Sequence, residues 1–560
     1  MRIEFRLDEH NFDEAFDLII IGGGINGAGV ARDAGERGLR TLLIEKNDFG
    51  SGCSAHSTRL IHGGLRYLEQ LEFNLVYESL DERETLLNNY PHLVNPLGLL
   101  IPAYQGNKFG MGKLKLGMMF YDMLSSGKSL LPHQVVKADQ VKNLELDIKK
   151  DGLKGAVFYH DGQVPFVERL VLENILTAKE FGAVCLNHCE LSEIQCIKSQ
   201  KGYQAHAIKF KDRLNGMKPY TAYGKHVINM TGPWLDEDLE WLKTQDGFKL
   251  SHSPSPRIGG TKGSHIVVKA FPGAPSKFGI YNEAKSDGRP FFILPFKIGM
   301  NEDLYLIGTT DIFLDANENL DDLKVTQREL EYLLYEVNDL FPQAGLSQKS
   351  IVKTFCGVRP LPRSKQGVEG KVSRKHNIVN HGKLDQIENY YSVVGGKITT
   401  FRNLARETVD KISDVACNTA KSKTLGCKYP EGISFYDYVQ DILAEYSSRY
   451  QVEAHTILHL LMLYGTNTAK VLDLCLQNPQ LKNKIASGYE DIEAQILYAI
   501  RYESAYTVED ILERRLTIGL STDRIEANVV QTISHYLSEE FELVARQRDK
   551  DIKALLTQGY

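Results

Sequence analysis

The sequence predicts an α/β protein: a helix-covered parallel sheet at its start, a β-rich domain in its middle and a helical domain at its end. Three observations predict it. Residues 17–45 run as an apolar strand, a glycine loop, a helix of small residues and a second strand. Between residues 236 and 349 the apolar stretches are short and strand-like, as in "GGTKGSHIVVKAF", "RPFFILPFKIG" and "LYLIGTTDIF". From residue 426 onward apolar residues recur at helical spacing, in "FYDYVQDILAEYSSRY", "AHTILHLLMLYGTNTAKVLDLCL", "DIEAQILYAIRYE" and "RIEANVVQTISHYLSEEFELV".

The first element carries the most information. Leu18–Ile21 is a short β-branched run, the pattern of a buried parallel strand. Gly22, Gly24 and Gly27 then form G-x-G-x-x-G. The helix that follows presents Ala28, Ala31 and Ala34, small enough to lie close to a sheet, and Gly38 ends it. Thr41–Ile44 is the next strand, and Glu45 stands at its end, 23 residues after Gly22. This is the layout of a Rossmann-like dinucleotide site. Gly22 permits the tight turn, Gly24 lets backbone approach a pyrophosphate, and Gly27 allows close helix–strand packing. The helix N-terminus offers N–H groups and a positive dipole end to the phosphates. A carboxylate at position 45 accepts hydrogen bonds from a ribose and disfavours a 2′-phosphate, so NADP is not expected.

Composition narrows the rest. At 560 residues the chain exceeds a single domain. It is 42% hydrophobic and 25% charged, with a net charge of −6, which gives no reason to expect nucleic acid. The opening "MRIEFRLDEHNFDEAF" is charged throughout and reads as no export signal, and no run of 18 apolar residues exists to span a membrane as a helix. Eight cysteines fit reduced cytosolic thiols. Cys185, His188, Cys189 and Cys196 cluster, but their spacing fits no zinc pattern and no metal is expected.

On the glycine motif alone FAD and NAD both stay open. Two later segments favour a flavin. "VINMTGPW" at 227–234 reads as a strand and a small-residue turn carrying Thr231 and Gly232. "YSVVGGKITTFR" at 391–402 reads as a strand, two glycines and a helix opening at Lys397. A second glycine-opened helix can aim its positive end at another part of one cofactor. The N1 and C2 carbonyl region of a flavin gains negative charge on reduction, and a helix dipole stabilises that charge.

With these residues in place the chain closely resembles the FAD-dependent glycerol-3-phosphate dehydrogenases, the respiratory enzymes rather than the soluble NAD-linked ones. The matching segments are "GGGINGAG" at 22–29, "STRLIHGGLRYL" at 57–68, "TGPW" at 231–234, "KGSHIVV" at 262–268, "IGTTD" at 307–311, "GVRPL" at 357–361 and "GGKITTFR" at 395–402. They follow the family's order, and the likeness extends into the helical tail. It implies a glutathione-reductase-like flavoprotein. The FAD domain would be woven from residues 1–100, 150–235 and 350–425, with a substrate domain at 236–349 and a helical domain at 426–560.

The resemblance also implies roles. FAD would be held by Gly22, Gly24, Gly27, Glu45, Ser54, Ser57, Thr58, Thr231, Gly232, Asp311, Gly396, Lys397, Ile398 and Thr399. No histidine or cysteine sits in a recognisable flavin-attachment motif, so the bond is expected to be non-covalent. Arg66, Arg359 and Arg374 would engage the substrate phosphate and hydroxyls, with Tyr67 beside them; a guanidinium fork suits a dianionic phosphate. His62 and His265 are the two candidates for the general base. Arg359 or Lys397 would stabilise the developing alkoxide, and Asp311 would bind FAD or orient a basic residue. One departure is Cys53 and His56, within "GSGCSAHST", where the family's loop is usually rich in serine and threonine.

The implied reaction is oxidation of glycerol 3-phosphate to dihydroxyacetone phosphate, with electrons passed to the membrane quinone pool. A short interval between "GVRPL" and "GGKITT" favours this over an oxygen-using glycerol-phosphate oxidase. Amine or amino-acid oxidases of similar fold, and the escort proteins that reuse it without redox chemistry, are the remaining alternatives. A quinone reductase must meet the membrane, so the expected location is cytoplasmic and peripheral. Residues 109–131, "FGMGKLKLGMMFYDMLSSGKSLL", combine Lys113, Lys115 and Lys128 with Met, Phe and Leu, which suits either an interfacial segment or a helix packed on the flavin domain. A homodimer is also possible.

Overall fold

The computed structural model describes residues 6–144, 146–237, 241–244, 258–300, 303–314, 318–363, 375–413, 425–430 and 432–541. Its centre is a parallel array. The strand Phe16–Ile21 pairs on one side with Thr41–Ile44 and on the other with Lys218–Asn229, setting Ile21 opposite both Ile44 and Asn229. Val184–Leu186 and Tyr390–Val394 extend the array outward, also in parallel. The β-branched run from Leu18 to Ile20 is fully buried, as strands covered on both faces require. Because the strands run the same way, the glycine loop, Glu45, Thr231 and Gly395 all emerge at one edge, the usual location of ligands in open α/β sheets.

The helix Ile25–Glu36 lies against two others, Val167–Glu180 and Phe401–Asp410. Close approach depends on small residues: Ala28, Ala31 and Ala34 are fully buried, and a Cβ on Gly29 would stand 2.7 Å from the Phe401 ring.

A second ten-stranded sheet faces this array. Its strand Thr261–Lys269 runs between antiparallel neighbours Leu304–Gly308 and Ile351–Arg359, which puts Arg359 opposite Thr261 and Gly308 opposite His265. Pro290–Phe296 and Phe278–Glu283 continue the sheet, followed by Asn95–Tyr104 and Leu153–Gln163.

The C-terminal helices, among them Phe435–Tyr450, Ala454–Tyr464, Thr468–Gln477 and Glu493–Tyr502, share one apolar core with the second sheet. Leu460, Leu461, Tyr464 and Leu497 belong to the same buried cluster as Leu97, Val267, Phe296 and Leu306. A buried ionic knot ties the last helices to the nucleotide loop. Asp48 accepts from Arg514 Nε at 2.7 Å and from Arg515 NH1 and NH2 at 2.8 and 3.0 Å. Asp510 bonds His188 at 2.9 Å and Arg514 at 3.2 Å. Asp48, His188 and Asp510 thus stand close together, but arginines occupy both carboxylates, and the cluster is an ion-pair network. Burial pushes the nearby Cys185, Cys189 and Cys196 thiols up to about 12. Among the described residues no helix is long and apolar enough to cross a membrane.

Candidate active site

A cavity of about 900 Å³ lies between the two sheets. Its first end is the glycine loop. Gly22 has φ +109°, and a Cβ there would stand 2.7 Å from the Met230 carbonyl oxygen. A Cβ on Gly27 would fall 1.9 Å from the Gly22 carbonyl oxygen, so the helix can approach the strand only with glycine at 27. Gly22 and Gly24 line the cavity; Gly27 stands behind them. The Glu45 carboxylate also lines it and accepts from the Gly23 and Asn47 amides at 2.7 and 2.9 Å. Burial raises its pKa, and those two amide bonds hold the rise in check.

The loop 50–58 forms the adjoining wall. Ser54 Oγ accepts from the Ile25 amide at 3.0 Å, anchoring the loop to the helix N-terminus. Ser57 Oγ accepts from the Arg59 amide, and Thr58 Oγ1 lies 3.0 Å from His265 Nε2. The two unusual residues of this loop are half-buried on the cavity wall. Cys53 Sγ donates to the Val358 carbonyl and burial pushes its thiol up to about 12; burial and the nearby Arg59 bring His56 down to about 4. Opposite, Thr231 is held by Asn229, and Gly232, Gly396, Lys397, Ile398 and Thr399 complete the rim. Gly395 and Gly396 take φ of +81° and +103°, which turn the chain into the short helical turn Ile398–Thr400 and then the helix Phe401–Asp410.

The far end is cationic and aromatic. Arg359 NH1 donates to Asp311 Oδ1 at 3.0 Å, and NH2 donates to Thr309 Oγ1 at 2.9 Å and the Thr310 carbonyl at 3.2 Å. Gly263 makes room: a Cβ there would stand 2.3 Å from Arg359 NH2. Lys397 Nζ lies 4.6 Å from the centre of the Tyr67 ring and donates to Ser79 Oγ. His62 follows the strand Leu60–Ile61; its amide donates to Thr399 Oγ1, and its ring lies 6.5 Å from that of Tyr67. His265 is buried and stacked on Phe355 at 5.0 Å. Burial first, then the nearby arginines 359 and 59, hold it neutral well below the usual histidine range. The Arg66 side chain and Arg374 lie outside the described residues.

Four buried polar atoms of cavity-lining residues have no hydrogen-bond partner among the described residues: Asn26 Oδ1, Arg59 Nε, Trp234 Nε1 and His265 Nδ1. A buried unpaired polar group is costly, by about 1–3 kcal/mol, so each asks for a ligand atom or water.

The comparison with known proteins decides which ligand. The profile of the FAD-dependent oxidoreductase family matches residues 17–399, and a glycerol-3-phosphate dehydrogenase of Synechocystis sp. is 41% identical over 550 residues, covering 97% of each chain. The chain belongs to the family of FAD-dependent glycerol-3-phosphate dehydrogenases. An aerobic glycerol-3-phosphate dehydrogenase of Staphylococcus haemolyticus is 32% identical and covers 90% of this chain and 87% of its own. The solved glycerol-3-phosphate dehydrogenase of Bacillus halodurans, complexed with FAD, superposes with a TM-score of 0.76 at 25% identity, over 98% of this chain and 95% of that one. Residues 417–548 match the profile described as the C-terminal domain of alpha-glycerophosphate oxidase.

FAD is the cofactor of this family member, and the cavity fits it on its own evidence. The glycine cradle leaves backbone exposed where a side chain would fill it, and the helix start at Ile25 faces the same space. Asn26 Oδ1 and Trp234 Nε1 supply an acceptor and a donor left without a partner among the described residues. The volume lies within the upper part of the range typical of ligand pockets, ~300–1,000 Å³.

Several cavity residues carried no signal that sequence reasoning used. Asn26 sits inside the glycine motif, and Trp234 ends "TGPW", so both were in plain view. Arg289, Tyr281 and Phe292 come from neighbouring strands, with the last two stacked at 4.7 Å. Only the strand pairing brings them to the cavity.

Proposed function

We propose that this protein oxidises glycerol 3-phosphate to dihydroxyacetone phosphate and passes the electrons to a membrane quinone. The observation that carries the reading is the anchored cation Arg359, which lines the same cavity as the glycine loop, Lys397, His62 and Tyr67. The names of the Synechocystis and Staphylococcus relatives supply the substrate. FAD, when bound, supplies the hydride acceptor.

The chain's own residues do the rest. Arg359, fixed by Asp311 and Thr309, presents a guanidinium to the phosphate without reorganising. Lys397, held over Tyr67, stabilises negative charge developing on the C2 oxygen. His62 is the better choice of base for the C2 hydroxyl proton. His265 resists protonation because it is buried beside arginines 359 and 59, and it serves better to hold Thr58.

The acceptor reading rests on an exposed apolar surface. The helix Met111–Leu124 leaves Leu116, Met119, Phe120 and Met123 exposed, and Phe120 meets the exposed Phe73 edge-on at 6.2 Å. Leu71 and Tyr77 continue the patch, and Lys113 and Lys115 are exposed beside it. Such a face suits the surface of an anionic bilayer. Oxygen is the rival acceptor, favoured by the oxidase named in the C-terminal profile.

Purified enzyme is expected to reduce a soluble quinone analogue far faster than it forms hydrogen peroxide. Peroxide matching substrate consumption would assign it to the oxidases. Lys113→Glu with Lys115→Glu is expected to weaken binding to anionic liposomes at low salt by about 1 kcal/mol per removed charge, while turnover with a soluble dye acceptor persists. Unchanged liposome binding would move the membrane seat elsewhere.

A further inference from the structure

Arg289 stands on the cavity wall at the start of the strand Pro290–Phe296, outside every motif that marked the site. Its NH1 donates to the Asp311 carbonyl oxygen, and its Nε lies 3.5 Å from Asp287 Oδ2. Asp311 is the residue whose carboxylate receives Arg359. One residue therefore holds two guanidinium groups, one through its main chain and one through its side chain. Both arginines line the same cavity, and they reach it from different strands of the second sheet, Arg359 closing Ile351–Arg359 and Arg289 preceding Pro290–Phe296.

We propose that Arg289 is a second phosphate-binding cation, paired with Arg359, and that Asp311 is the positioning residue that sets the two apart. This rests on the reading of the substrate as a phosphate ester. A phosphate dianion has oxygens to spare for two forks, whereas the carboxylate of an amino acid is satisfied by one. The pair therefore selects for the phosphate ester against the free polyol and against amino acids. Arg289 contributes less than Arg359 because its side chain is 35% exposed, against 20% for Arg359, and water screens it more.

The test compares Arg289→Gln, Arg289→Lys and Arg359→Gln with the wild type, all as FAD-loaded full chains. Readouts are KM and kcat for glycerol 3-phosphate, the rate with glycerol, and inorganic phosphate as a competitive inhibitor. Arg289→Gln is expected to raise KM and the phosphate inhibition constant together, by about 10-fold, with kcat and the glycerol rate little changed. Arg359→Gln should lose more, within ~10- to 150-fold. Arg289→Lys should recover part of the loss, since it restores charge without the fork. An unchanged KM and phosphate inhibition constant in Arg289→Gln would overturn the proposal. So would a fall in kcat with glycerol and glycerol 3-phosphate alike, which marks a structural role. Failure of the underlying substrate reading shows separately, as a wild type that does not consume glycerol 3-phosphate.

Discussion

Gly27→Ala is expected to abolish flavin binding. The added methyl would sit 1.9 Å from the Gly22 carbonyl oxygen, and that oxygen belongs to backbone that cannot rotate away. Gly22 is itself fixed: its amide donates to the Ile44 carbonyl at 2.8 Å and its φ is +109°. Relief requires the helix Ile25–Glu36 to slide off the sheet, and with it the N-terminal turn that lines the cavity. Overpacking of a yielding core costs about 1–3 kcal/mol, and a clash with main chain belongs at or beyond the top of that range. The purified variant should be colourless, with no flavin recovered on denaturation. Gly38→Ala is the control. Its φ is +77°, but nothing stands within 4 Å of the new Cβ, so the cost is only the left-handed strain of ~1–2 kcal/mol and the protein should stay yellow. A yellow Gly27→Ala would refute the close-packing account of the loop.

Asp48→Ala is expected to destabilise the protein by about 3–5 kcal/mol, the range for breaking a buried ion pair from one side. The change removes the shared acceptor of Arg514 and Arg515, and also of Asn187 Nδ2 at 2.8 Å. Asp48 and Arg515 are both fully buried, so the surviving guanidinium is left in low dielectric with Glu503 as its remaining carboxylate. The loss should reach the active site, because Asp48 lies in the loop between Glu45 and Ser54, both on the cavity wall. Thermal unfolding and FAD affinity should therefore fall together. The same knot should weaken in acid. Although burial works against it, Asp510 is held far below the ordinary carboxylate range by His188, Arg514 and Arg515. A depressed acid contributes stability at neutral pH; the loss begins as pH falls to the ordinary carboxylate range and continues down towards the lowered folded-state value. Melting of Asp48→Ala within a degree or two of wild type would show that the knot contributes little.

The contrast between these two sites explains what the sequence could reveal. The glycine loop is a local device: Gly22, Gly24, Gly27 and Glu45 act on one turn and its two strands, so spacing alone exposes them. Gly395–Thr399 is legible for the same reason. The Asp48 knot joins residues more than 460 positions apart, and no local pattern marks a lone aspartate as the seat of two arginines. Arg289 was equally silent, since its meaning depends on the antiparallel pairing that carries its strand beside Leu304–Gly308. Thr58 and His265 are 207 positions apart in sequence, and only the fold brings them into hydrogen-bond contact. Cys53 and His56 stood out in sequence because they break a pattern. In the fold they are half-buried on the cavity wall, with the Cys53 thiol shifted up and the His56 ring shifted down.

We propose that a flavin held at the glycine loop is served by a cationic pocket suited to a phosphate ester. Anaerobic titration of the purified yellow protein tests it most directly. Glycerol 3-phosphate should bleach the visible flavin absorbance in proportion to the amount added, with dihydroxyacetone phosphate recovered in equal measure, while glycine and proline leave the spectrum unchanged. Bleaching by an amino acid, or an oxidised spectrum that persists in excess glycerol 3-phosphate, would contradict the account.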